Sequence, residues 1–201
     1  MQVFRGVPAL STGPSALTIG NFDGVHLGHQ AMLAHLRAAA KLSSLPACVM
    51  TFEPHPREFF TPHDAPTRLT TLREKLELLA SFGVDKTYVC SFNRKFSSLT
   101  AQQFIDELLV HRLRSQWLLV GDDFRFGAKR VGDFALLREA AMKNRFKLAA
   151  MPSFTHNGER VSSTVVRNAL ARGDLARAQE LLGRAYSISG RVMHGNKLGR
   201  T

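Results

Sequence analysis

Apolar and polar positions alternate between two rhythms along this chain. Short apolar runs bounded by turn residues occupy positions 16–21, 47–52, 86–92, 116–121 and 146–151. Between them, apolar residues recur every three to four positions over 30–43, 71–79, 100–110, 133–143, 161–171 and 175–182. The first rhythm predicts buried strands and the second predicts amphipathic helices. Their alternation predicts an α/β fold, a parallel sheet with crossover helices on both faces. Punctuation agrees. Thr71 and Glu74 have the spacing of a capping box, and Gly83 stops the same helix. Pro54 and Pro56 end the second strand, and 61–66 reads as a loop.

The chemistry-bearing residues gather where strands end. Asp23 and His26 follow the first strand, Glu53 and His55 the second, Asp122 and Asp123 the fourth. Open α/β sheets bind ligands beyond the carboxyl ends of their strands. The densest stretch is Gly20-Asn21-Phe22-Asp23-Gly24-Val25-His26-Leu27-Gly28-His29, a strand-to-helix turn. A helix N-terminus offers free N–H groups and positive dipole, and glycine lets a phosphate approach the backbone. His26 and His29 lie on one helical face. Two roles are open for them: metal ligands, or donors to phosphate oxygens. Zinc needs three or four ligands, and no third Cys or His lies nearby in sequence.

Ser162-Ser163-Thr164 opens a helix, and Arg167 follows Thr164 by one turn. One hydroxyl suffices for a cap. The surplus hydroxyls and the guanidinium suit an anion such as a triphosphate. Gly121-Asp122-Asp123-Phe124-Arg125-Phe126-Gly127 offers carboxylates and flat rings. Phe52-Glu53-Pro54-His55-Pro56 offers a rigid turn.

Composition narrows the picture. With 201 residues, 44% of them hydrophobic, the chain can bury one α/β core. No apolar run approaches the ~20 residues of a membrane span. Met1-Gln2-Val3-Phe4-Arg5 lacks the layout of a secretory signal, which predicts a cytoplasmic protein. Cys48 and Cys90 sit far apart in apolar runs, which predicts two buried, reduced thiols. The net charge of +11 favours phosphate-bearing partners, yet the basic residues form no block and no nucleic-acid motif.

Taken together, Gly20 to His29, Phe52 to Pro56, Arg68-Leu69-Thr70, Gly121 to Gly127 and Arg160 to Arg167 resemble the adenylyltransferase module of bacterial bifunctional riboflavin kinase/FAD synthetase. The likeness runs along essentially the whole chain. His-x-Gly-His alone marks only the wider nucleotidyltransferase superfamily. The resemblance implies a Rossmann-like nucleotidyltransferase domain that transfers AMP from ATP to FMN with Mg²⁺, giving FAD and pyrophosphate. It implies catalytic roles for His26, His29 and Arg167. It assigns ATP to Gly20, Asn21, Phe22, Asp23, Gly24, His26, His29, Ser163, Thr164 and Arg167, with Asp23 placing Mg²⁺ or a histidine. It assigns the flavin to Pro56, Phe59, Phe60, Asp123 and Phe124, and leaves the metal ligands unassigned.

Positions 186–195 alternate like a strand, and with Asn196 to Thr201 they resemble the opening of the riboflavin kinase module. The expected division is 1–184 for the FMN adenylyltransferase domain and 185–201 for a truncated start of the kinase barrel. The kinase reaction is then expected only of a longer protein. The tail from about Tyr186 is expected to be loosely held or paired to a free sheet edge. ATP and FMN are the expected partners, with no nucleic acid and no membrane. Two other readings remain: a nucleotidyltransferase for another phosphate substrate, and a basic nucleic-acid-binding module.

Overall fold

The chain after β2 turns back on both sides of it, and that reversal organises the molecule. The computed structural model describes residues 1–11, 13–193 and 195. Strands Gln2–Arg5 (β1), Ser15–Ile19 (β2), Ala47–Glu53 (β3), Lys86–Ser91 (β4), Ser115–Gly121 (β5) and Lys147–Met151 (β6) form one sheet in the order β1-β4-β3-β2-β5-β6. Every neighbouring pair is parallel. Thr155–His156 (β7) and Glu159–Arg160 (β8) form a separate antiparallel hairpin. The helices are Leu27–Leu42 (α1), Pro56–Phe60 (α2), Leu72–Ser81 (α3), Arg94–Ser97 (α4), Ala101–Gln103 (α5), Phe134–Asn144 (α6), Ser163–Ala171 (α7) and Leu175–Leu182 (α8). A π-helical stretch, Phe104–Arg112, continues α5.

Central strands are apolar on both sides because both faces are covered. Ala16, Val49, Trp117 and Leu119 meet Leu33 and Leu36 of α1 and Leu79 of α3. Leu17, Ile19, Met50, Leu118 and Val120 meet Ile105 and Leu109 of the π-helical stretch and Leu137 of α6. Each fully buried Leu or Ile contributes roughly 1.5–3 kcal/mol. A third cluster joins Leu69 to Val161, Val166, Leu181 and Leu182, docking α7 and α8 beside the start of α1. Crossovers to one side of β2 use one face, and crossovers beyond it use the other. The switch point lies between β2 and β5, where a crevice opens beyond the strand ends.

The expected strands and helices form, with boundaries moved by a few residues. The Thr71–Glu74 capping box is present. Cys48 and Cys90 are free and buried, and burial pushes both thiols up to about 12. No helix among the described residues is long and apolar enough to cross a membrane.

Two features differ from expectation, and the tail, expected to be loosely held or paired to an edge, takes no edge among the described residues. The N-terminal β1 was not anticipated: it is short, mostly exposed and held at the edge by pairing with β4 and by Phe4 stacking on Tyr88 at 5.3 Å. The helix expected over 100–110 starts at a Thr100 cap but continues with π-type bonding. The strand pattern of the tail makes no strand among the described residues 186–193, and it pairs with neither sheet edge. The Ser189 N–H instead donates to Glu74 Oε1 at 2.7 Å, while Tyr186 packs on the third cluster. Ile188 and Val192 are exposed. Asn196 to Thr201 lie outside the described residues.

Candidate active site

The turn after β2 is wound tightly. Phe22, Gly24 and Val25 all have left-handed backbones, at φ of 50°, 78° and 41°. For a buried phenylalanine and a β-branched valine this conformation costs on the order of 1–3 kcal/mol each. Gly24 cannot be replaced cheaply: a Cβ there would lie 2.8 Å from Leu69 Cδ1. Bonds from the rest of the chain hold the turn. Asp23 accepts from the Leu69 and Thr70 N–H groups and from Thr70 Oγ1, at 3.0–3.2 Å. Thr70 Oγ1 accepts from the Gly24 N–H. Gln30 Nε2 donates to the Val25 carbonyl at 2.9 Å, and Arg184 Nη2 donates to the Gly24 carbonyl at 2.7 Å.

That winding delivers two imidazoles to the start of α1. His26 caps the helix: its Nδ1 accepts from the His29 N–H at 3.3 Å. The acceptor role fixes the tautomer, so the neutral ring carries its proton on Nε2. The two rings stack with centroids 3.7 Å apart and planes 16° apart, and Phe22 packs against His29 at 4.9 Å. Burial pushes His26 down to about 4, against a smaller opposing pull from Asp23. Burial also pushes His29 well down, helped by the charges of His26 and Lys75. Both rings are therefore neutral at neutral pH. Asn21 Oδ1 and His29 Nδ1 are buried without a hydrogen-bond partner among the described residues. Unpaired buried polar atoms are costly, and active sites are where they persist.

Asp23 ties the turn to α7. Arg167 Nη2 meets Asp23 Oδ2 at 2.5 Å, and Arg167 Nε donates to the Thr67 carbonyl at 2.6 Å. The Ser163 hydroxyl donates to the Asp23 carbonyl at 3.0 Å, and Ser162 caps α7 by accepting from the Val165 N–H. Of the three consecutive hydroxyls, one caps, one ties, and Thr164 is exposed without a bond among the described residues. The Asp23 oxygens are committed to Arg167, Leu69 and Thr70, and they make no hydrogen bond to either imidazole. Arg167 is likewise committed to Asp23 and Thr67, leaving Nη1 as its unbonded nitrogen among the described residues.

A second space adjoins the turn. A cavity of about 960 Å³ is lined by Gly20, Asn21, His55 and Pro56, by Phe52, Phe60, Phe92, Phe96, Phe104, Phe124 and Phe126, and by Asp123. The rings contact one another edge to face or tilted, except that Phe124 and Phe126 are stacked at 5.6 Å. Arg57, Arg125, Lys129 and Arg130 also line it, so the apolar space has a basic rim. Gly127 shapes the far wall, at φ 73° with a would-be Cβ 2.6 Å from the Ala101 backbone nitrogen. His55 caps α2 through its Nδ1, and Arg68 bridges Glu53 and Glu58, bracing the loop after β3. Asp123 is exposed and paired with Arg160 at 2.6 Å.

The expected flavin residues Pro56, Phe60, Asp123 and Phe124 line this cavity. Phe59 does not: its ring packs against Phe60 and Phe92 at 5.2 and 5.6 Å. Sequence reasoning missed the rings of Phe92, Phe96 and Phe104, which come from the end of β4, from α4 and from the π-helical stretch. The only signal was the count of phenylalanines, 14 in all. It also missed Lys75 and Arg184, which look like ordinary surface charges in sequence.

The FAD synthetase family model matches residues 10–165. The chain belongs to the FAD synthetase family. It is 52% identical over 204 residues to the bifunctional riboflavin kinase/FMN adenylyltransferase of Escherichia coli (strain K12), covering 100% of this chain and 65% of that protein. The protein of the same name from Haemophilus influenzae is 50% identical, covering 100% of this chain and 66% of its own length. The chain thus spans about 65% of the length of these FAD synthetase relatives. Among solved structures, one described as a macrolide-efflux protein from Streptococcus pneumoniae is similar, with a TM-score of 0.83 and 26% identity, over 97% of this chain and 65% of that one. The architecture is that of a Rossmann-like α/β nucleotidyltransferase.

Proposed function

We propose that this chain is an FMN adenylyltransferase, moving AMP from ATP to FMN to give FAD and pyrophosphate. One observation carries the reading: Gly20 and Asn21, which lead into the imidazole pair, also form a wall of the aromatic cavity. A flat heterocycle in that cavity can reach the phosphate seat at the start of α1. In the reaction, an oxygen of the FMN phosphate attacks the α-phosphorus of ATP as the bond to the β-phosphate breaks. The FMN phosphate is already anionic at neutral pH, so no protein base is required. Catalysis is then positioning plus stabilisation of developing charge.

His26 donates from Nε2 to the α-phosphate in this scheme, and neutral His29 donates beside it. The first N–H groups of α1 add to the seat. Thr164 and the free Nη1 of Arg167 face the β- and γ-phosphates, while the rest of Arg167 and Ser163 hold the turn in shape. Among the described residues no group of three His, Cys, Asp or Glu could hold a metal ion. Mg²⁺ would come with the ATP phosphates, the usual habit of that ion, and would neutralise their charge.

The domain reading follows the same logic. Residues 1–184 are read as the adenylyltransferase, and 185–201 as the opening of a riboflavin kinase module. The substrates are soluble anions, and the reading places the enzyme in the cytoplasm. The test incubates the chain with ATP, Mg²⁺ and either FMN or riboflavin and separates the flavins chromatographically. FAD from FMN alone is the expected result. Absence of FAD together with absence of flavin binding refutes the reading.

A further inference from the structure

Lys75 is the least explained charge in the molecule. It lies in the first turns of α3 and is only 6% exposed. Its ammonium makes no hydrogen bond and no ion pair among the described residues, whereas the two guanidinium groups that share its carboxylate neighbours are engaged. Arg167 holds Asp23, and Arg68 holds Glu53 and Glu58. Those carboxylates act on Lys75 only through space. A buried ammonium without a contacting partner costs several kcal/mol, so an unpaired one calls for an anion that arrives later.

Its position says which anion. Leu69 and Thr70, just before α3, are bonded to Asp23 of the histidine turn. A helical side chain leans back over the turn preceding it, so Lys75 leans toward that junction. Its charge is felt by His29 on one side and by His55, a wall of the aromatic cavity, on the other. The helix that carries Lys75 packs on the turn Asp23–Val25, so the lysine sits behind the nucleotide seat, and its charge reaches a wall of the heterocycle space without its side chain lining it. Two anionic phosphates must meet where that seat and that space adjoin. We propose that Lys75 binds the phosphate of FMN and holds it in line for attack, an assignment that rests on the adenylyl-transfer reading above. Burial already lowers the proton affinity of Lys75, and an arriving phosphate would restore it.

The test compares FMN with riboflavin, which lacks the phosphate, in binding titrations on the wild-type chain, Lys75→Met and Lys75→Arg. Wild type should prefer FMN by about tenfold or more, the size of one charge-assisted contact. In Lys75→Met that preference should vanish while riboflavin affinity stays, which also certifies an intact cavity. Lys75→Arg should recover most of the preference. Lys75→Gln replaces the Met variant if the latter does not fold. A preference for FMN that survives loss of the charge overturns the assignment and leaves the transferase reading standing. Weakened ATP binding with FMN preference intact overturns it equally. A wild-type chain that binds neither flavin overturns the transferase reading and the lysine assignment with it.

Discussion

His26→Asn should change the pH dependence of stability without removing the cap of α1. Asparagine is a favoured N-cap and keeps an acceptor for the His29 N–H, but it does not titrate. In the folded protein burial holds His26 at about 4, against 6.5 for the exposed ring. Above pH 6.5 the ring is neutral in both states and contributes nothing to the pH slope. Below 6.5 the unfolded chain takes up a proton that the folded chain refuses. Stability is therefore lost as pH falls from 6.5 to about 4, and the loss then levels off. At 1.36 kcal/mol per unit, the full loss is about 3 kcal/mol. Urea unfolding at several pH values, followed through the single tryptophan, the buried Trp117, gives the curve for each protein. Carboxylates titrate in both and cancel in the difference. The advantage of wild type over the variant should shrink by about 3 kcal/mol between pH 7.5 and 4. Parallel curves would refute the claim that His26 is held neutral by burial.

His29→Ala should lower turnover by roughly two to three orders of magnitude, as loss of one transition-state donor does, with FMN affinity little changed. Wild-type turnover would remove His29 from the chemistry. Arg167→Met should destabilise by about 3–5 kcal/mol, because it strands the buried Asp23 carboxylate, and Asp23→Asn by less, because Arg167 is only partly buried. Thermal unfolding of both singles and the double should show strong non-additivity, and additive losses would mean the pair is not coupled.

The parts of the fold that could be read from the chain were those set by local rules. Apolar runs and helical periodicity located the five longer strands and most helices, since pattern decides which face is buried. The edge strand β1 escaped because four mostly exposed residues carry little pattern. The tail left two outcomes open, loosely held or edge-paired, because its alternation is a strand signal only when an edge accepts it. For the site, the glycine-rich turn and the hydroxyl run were legible because helix starts and tight turns have their own residue chemistry. Phe59 and Phe60 could not be told apart, since adjacent rings differ only in which way the backbone turns them.

Sequence alone determined the order of elements, the turn that carries His26 and His29, and membership in a recognisable family of phosphate chemists. These depend on near neighbours along the chain. Only the tertiary structure decided that Asp23 and Arg167 brace the site, that rings from distant segments enclose one cavity, and that Lys75 is buried without a contacting partner among the described residues. Those facts depend on which remote groups share a small volume of low polarity. Burial sets proton affinity, pairing and the cost of an unmet charge, and burial is a property of the packed molecule.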